Sequence, residues 1–127
     1  MTEKKVHQQV CDYLKMQYPN VIFTSDASGM RVSMGLRMEL KRKRCNRFVI
    51  PDLIILHPNK SWHGLIIEIK NKASEWYNKD GVIKINNEHI YKQWQSLYQL
   101  SKLNYCAEVG VGFDGCRRII DNYFGKI

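Results

Sequence analysis

Val6, Val10 and Leu14 recur every four residues, so 3–17 reads as an amphipathic helix that ends before Pro19. Val21–Thr24 reads as a short strand, and Ser25–Gly29, with Asp26, Ser28 and Gly29, has the chemistry of a turn. A second helix is expected from about Arg31 to Lys43. Phe48–Leu56 is β-branched and apolar, with Pro51 near its start, where a strand tolerates proline best. His57–Ser61, containing Pro58 and Asn59, reads as the hairpin loop before a second strong strand, Trp62–Lys70. Residues 71–88 are polar, mixed in charge and interrupted by Gly81, and read as an excursion of loop or short hairpin. Helical spacing resumes over 88–103 through Ile90, Trp94, Leu97, Leu100 and Leu103. Tyr105–Val111 then reads as a third main strand and Asp114–Phe124 as a closing helix. This order predicts an α/β fold of α-β-β-β-α-β type, a mixed β-sheet flanked by helices.

The 127 residues suit one domain spanning 1–127, long enough to bury a core without staples. The longest apolar runs, Leu53–Leu56 and Leu65–Ile67, fall far short of the ~20 residues of a membrane span. The polar start Met1–Lys5 shows no secretory signal, and the expectation is a cytoplasmic protein, in the host cytoplasm if viral. Cys11, Cys45, Cys106 and Cys116 form no CxxC pair, which fits a reducing compartment.

Charge is more informative for its placement than for its sum. Twenty Lys and Arg against twelve Asp and Glu give +8. Residues 31–47 hold seven basic residues and one acid, Glu39, and so carry +6 of that excess. Arg31, Arg37, Lys41, Arg42, Lys43, Arg44 and Arg47 are candidates for nucleic-acid phosphates, which they would position without reading sequence. A solvated helix face is the other reading, although such faces usually mix their signs. No base-reading module is recognisable, which favours selection by nucleic-acid structure over sequence.

The central chemical signal is Pro51-Asp52, then fifteen residues, then Glu68-Ile69-Lys70. Strand alternation puts Ile66, Glu68 and Lys70 on one face of an apolar strand and Ile67 and Ile69 on the other. A hairpin can bring Asp52 beside Glu68. Charges are costly to bury unless paired or bound to a metal. Two carboxylates converging with a lysine suit a hard divalent cation such as Mg²⁺ or Mn²⁺. The same residues also read as an ion pair of Lys70 with Glu68 or Asp52 on a solvated sheet face. Glu3 shares the core-facing stripe of the first helix, and Gln93 the core-facing stripe of the 88–103 helix. Each is weak evidence alone: Glu3 also reads as a solvated first-turn acid, and a buried Gln93 needs partners, which a metal-bound water, Lys70 or a phosphate could supply.

Three other signals carry less. Gly110-Val111-Gly112-Phe113-Asp114-Gly115 is a literal GxGxxG, but a dinucleotide site needs a second βα unit and an acid ~20 residues on. It reads as a strand-to-helix turn, and no nucleotide cofactor is expected. His7, His57, His63 and His89 with the four cysteines show no zinc spacing. Trp76, Tyr77, Tyr91 and Tyr98 could stack on unpaired bases, and core or surface packing explains them equally well.

Taken together, the helix opened by Glu3, Pro51-Asp52, Glu68-Ile69-Lys70, and Gln93 with Trp94, Leu97 and Leu100 resemble the VRR-NUC branch of the PD-(D/E)xK nuclease superfamily. The resemblance continues through Asn104-Tyr105 into Ala107–Val111 and a last helix ending at Tyr123, and so covers most of the chain. It implies a restriction-endonuclease-like core and a Mg²⁺- or Mn²⁺-dependent endonuclease, similar to the stand-alone enzymes of phages and other viruses. Carried over residue by residue, Asp52 and Glu68 would be metal ligands with the Ile69 carbonyl. Lys70 would be catalytic, Glu3 an outer or second-metal ligand, and Gln93 a positioning residue. Stand-alone members are similar to homodimers that cut branched DNA, including Holliday junctions. Two features depart from the pattern. Phe48-Val49-Ile50 stand where the family commonly has Gly, and the 71–88 excursion matches nothing in it, which leaves substrate preference open. A non-catalytic nucleic-acid-binding module and a nuclease acting on duplex ends, flaps or RNA are the alternatives.

Overall fold

A computed structural model describes residues 1–26 and 32–126. Arg31, and with it most of the expected Ser25–Gly29 turn, lies outside those residues. The elements run α1 (Glu3–Gln17), β1 (Phe23–Ser25), α2 (Met34–Arg42), β2 (Leu53–Ile55), β3 (Leu65–Lys70), α3 (Glu88–Lys102), β4 (Cys106–Val111) and α4 (Gly112–Tyr123). The sheet order is β1-β2-β3-β4, antiparallel from β1 through β3 and parallel between β3 and β4. The mixed sheet flanked by helices is the architecture expected. Among the described residues, no helix is long and apolar enough to cross a membrane.

Residue chemistry accounts for most boundaries. Thr2 caps α1, its hydroxyl accepting from the Lys5 N–H at 3.2 Å, and Asn87 caps α3 by accepting from the Ile90 N–H at 3.1 Å. β3 is buried along its whole length because it lies between two strands and is covered on both faces. Leu65, Ile67 and Ile69 pack with Val6, Val10 and Leu14 of α1 and Cys116 and Ile120 of α4. Ile66, on the opposite face, packs with Ile90 and Leu97 of α3 and with Trp76. Gly110 lets α4 approach the sheet, since a Cβ there would lie 2.4 Å from the Cys116 sulfur.

The expected strand 48–56 is trimmed to Leu53–Ile55. Pro51 has no N–H to donate, and the Val49 N–H goes instead to the Ser96 hydroxyl on α3 at 3.1 Å. Arg47, just before, takes a left-handed backbone conformation with φ 58°, which also ends extended structure. The 71–88 excursion is a 3-10 turn, Ala73–Glu75, followed by a tight hairpin closed by a Tyr77–Ile83 bridge around Gly81, whose φ is 84°.

α1 is fastened to α4 by one carboxylate. Asp121 Oδ1 accepts from the Tyr13 and Tyr18 hydroxyls at 2.6 and 2.7 Å, and Oδ2 from Arg117 at 3.3 Å. Burial pushes the Asp121 carboxyl up, but the three donors outweigh it and the net shift is downward. Asp121→Ala leaves two tyrosine hydroxyls without their acceptor and is expected to cost about 2–4 kcal/mol in urea unfolding. A loss below about 0.5 kcal/mol would show that the network does not hold α1 in place.

Candidate active site

The β2–β3 register sets the centre of the site. Leu53 pairs with Ile67, so Asp52, one step beyond, comes opposite Glu68. Asp52 is fixed on both sides: its Oδ2 accepts from the Ile69 N–H at 2.8 Å, and its carbonyl from the Asp26 N–H at 2.9 Å. Glu3 joins from the first turn of α1. Oxygen atoms of Glu3, Asp52 and Glu68 all lie within 4.8 Å of one another. Two tethers place that turn, one from the Asn71 amide to the Met1 carbonyl, the other between His7 Nε2 and the Ser25 hydroxyl at 2.9 Å.

Glu68, Lys70 and Gln93 are only 3%, 6% and 7% exposed, so their polar groups must be satisfied inside the protein. Gln93 does this for both neighbours: its Oε1 accepts from Lys70 Nζ at 2.9 Å and its Nε2 donates to Glu68 Oε2 at 3.1 Å. The amide thereby separates the ammonium from the carboxylate, so the direct ion pair that the sequence also allowed does not form between Lys70 and Glu68. Lys70 also stands over the ring of Trp76, 5.6 Å from its centroid.

Burial, a hydrogen bond with Asp52 and the Asp52 charge push the Glu68 carboxyl up to about 10, against the opposing influence of Lys70. Glu3 is also raised, first by burial and then by Asp52, with Glu75 adding to it and Lys70 opposing. Carboxyl groups crowded together and partly desolvated suit a hard divalent cation, because it supplies the positive charge that desolvation makes necessary. The donor set, three carboxylates, therefore fits a hard divalent cation. Ile69 contributes through its peptide, while its side chain is buried on the opposite face among the α1 and α4 residues.

These groups open into a cleft of about 700 Å³. Glu75, Lys84 and His89 also line it, all from parts of the chain that the motif does not reach. Glu75 is held by the Lys72 N–H at 2.6 Å, a short-range capping pattern three residues apart. Trp76 is the residue whose role the spacing left open. It is 1% exposed and forms the wall behind Lys70.

The basic segment divides. Arg37, Lys41, Arg44 and Arg47 line a second groove of about 770 Å³, which shares Val49 with the carboxylate cleft. Arg42 and Lys43 do not line it, because the helical turn carries them away from the Arg37–Lys41 stripe. Lys43 pairs with Glu39 at 2.8 Å and Arg44 with Asp26 at 2.7 Å.

No family model matches the sequence, and no curated protein matches it. Among solved structures, the chain is similar to a VRR_NUC domain protein, with a TM-score of 0.69 and 23% sequence identity over 98% of this chain and 89% of that one. At that identity the likeness is one of fold. It agrees with the resemblance carried by Asp52, Glu68-Ile69-Lys70 and Gln93.

The raised Glu68 has a consequence for stability. Its folded pKa, about 10, lies above its ordinary 4.5, so the folded state keeps a proton that the unfolded chain releases. That contribution is full below the ordinary value and is lost as pH rises towards the folded one. Without divalent cation, wild-type stability is expected to fall by about 1 kcal/mol or more between about pH 5 and about pH 8 relative to Glu68→Gln. Parallel profiles in urea titrations of the two proteins would contradict it.

Proposed function

We propose that residues 1–127 form one metal-dependent nuclease domain that hydrolyses phosphodiester bonds. The observation that carries this reading is a cluster of three carboxylates, one of them, Glu68, joined to Lys70 by a single buried amide, beside a basic groove. Asp52, Glu68 and Glu3, with the Ile69 carbonyl, would hold Mg²⁺ or Mn²⁺. When bound, such an ion neutralises charge on a phosphodiester and makes water more acidic.

The remaining work falls to the chain itself. Lys70, oriented by Gln93 and backed by Trp76, presents an ammonium within the cleft. There it can orient the attacking water and stabilise charge developing on the phosphate oxygens. Water oxygen bonds to phosphorus, the bond to the leaving oxygen breaks, and the products are a phosphate monoester and a hydroxyl. Gln93 acts through its neighbours as a positioning residue, with one end on Lys70 and the other on Glu68. Arg37, Lys41 and Arg47 hold the sugar-phosphate backbone at the adjoining groove, and Arg42 and Lys43 extend the positive field.

The substrate we infer is branched or otherwise structured DNA, with the four-way Holliday junction as its representative and a symmetric homodimer as the cutting unit. The VRR-NUC resemblance, the fold likeness and the need to cut two strands support that choice. A labelled four-way junction is expected to be cut by wild type only with Mg²⁺ or Mn²⁺. Lys70→Ala should slow cutting by about 10²-fold or more and Asp52→Ala should abolish it. Wild type that binds the junction but never cuts it with either ion would make this a binding module instead. Cutting confined to duplex ends, flaps or RNA would keep the chemistry and replace the substrate.

A further inference from the structure

The groove beside the carboxylate cleft has more than cations. Its rim carries Arg37, Lys41 and Arg47, all exposed, with Lys92 of α3 across from them. Its lining also contains Leu40, Phe48 and Val49, each half-buried. α2 buries no side chain, so packing of that helix does not account for an apolar surface here. Phe48 makes no ring contact with another aromatic side chain among the described residues, and its face is not committed to a stack.

Duplex nucleic acid presents phosphates and keeps its base faces stacked inside, so a basic rim alone would serve it. An apolar surface set between cations suits a ligand that offers a polyanionic backbone and flat uncovered rings together. An unpaired nucleic-acid strand is that ligand. The groove volume, about 770 Å³, is within the range of pockets that enclose small organic groups. The backbone at the junction of the two spaces is also set. Arg47 holds φ 58°, disfavoured for a residue with a long side chain, and the Val49 N–H is fixed to Ser96.

We propose that this groove holds unpaired nucleotides of the DNA strand whose phosphate enters the carboxylate cleft, with bases against Leu40 and Phe48 and phosphates on Arg37, Lys41 and Arg47. The link to cutting rests on the nuclease reading of the neighbouring cleft; the binding itself does not. The substrate feature selected is then a strand unpaired at the branch point, where arms of a junction meet, next to the scissile phosphate.

The test measures binding in EDTA, where no cutting can occur, by fluorescence anisotropy of a short labelled oligothymidylate and of a blunt duplex of equal length. Phe48→Ala is expected to weaken single-strand binding about tenfold and duplex binding by less than about twofold. The double variant of Lys41→Ala and Arg47→Ala should weaken both ligands and flatten their salt dependence. Should Phe48→Ala fail to fold in a thermal melt, Phe48→Leu, which keeps apolar volume without the aromatic face, should lose about threefold on the single strand alone. Equal losses on both ligands, or none on the single strand, would overturn the proposal. Single-strand selectivity in a protein that never cuts would sink only the nuclease reading. Cutting with no effect of Phe48 would sink only this one.

Discussion

Two ionisable side chains on a fully buried apolar strand are the constraint around which the rest of the molecule is arranged. Glu68 and Lys70 alternate with Ile67 and Ile69 along β3, and only a few per cent of either reaches the cleft. Charges in that position destabilise a fold unless each has a partner. Gln93 satisfies both with one amide, Trp76 closes the space behind the ammonium, and Asp52 on the neighbouring strand helps to hold the Glu68 carboxyl raised. Each solution uses a different element: α3, the 71–88 excursion and the start of β2. The fold therefore converges on the cluster, and some elements take no part in packing it.

α2 is such an element. It buries no side chain and brings basic residues to a groove that opens beside the carboxylates. A net charge of +8 states only that the protein attracts polyanions. Its concentration between Arg31 and Arg47 places the attraction where the chain runs into Asp52. The acids invert the sign within the cleft itself, where Glu3, Asp52 and Glu68 stand together against a basic surround.

Much of this arrangement was legible in the chain because its periodicities are strong. The Val6, Val10 and Leu14 stripe gave α1 with the ends it has, and strand alternation separated Glu68 and Lys70 from Ile67 and Ile69. Period 3.6 turned Gln93 inward and made Lys70 one of its possible partners, but its second bond, to Glu68, was not legible, since a spacing does not report what lies across a sheet. Phe48–Leu56 looked like one strand because its composition is β-branched and apolar on both sides of Pro51-Asp52. Pro51 and the left-handed Arg47 cut it short, a local backbone effect that tertiary contact with Ser96 completes. Arg42 and Lys43 counted equally with their neighbours in the sequence, and only the helical turn separates them from the groove. Trp76 lay in a polar stretch with no period to read, so its place behind Lys70 came from the fold alone.

The most direct measurement is calorimetric titration of the protein with Mn²⁺ at neutral pH in two buffers of different ionisation enthalpy. A raised Glu68 must give up its proton when a cation takes its place, so the heats should differ between buffers and report release of about one proton per bound ion. Glu68→Gln should bind far more weakly and without the buffer difference. No binding by wild type, or binding as tight after Glu68→Gln, would contradict the assignment of the carboxylate cluster to a metal, and binding without proton release would contradict the raised Glu68 carboxyl.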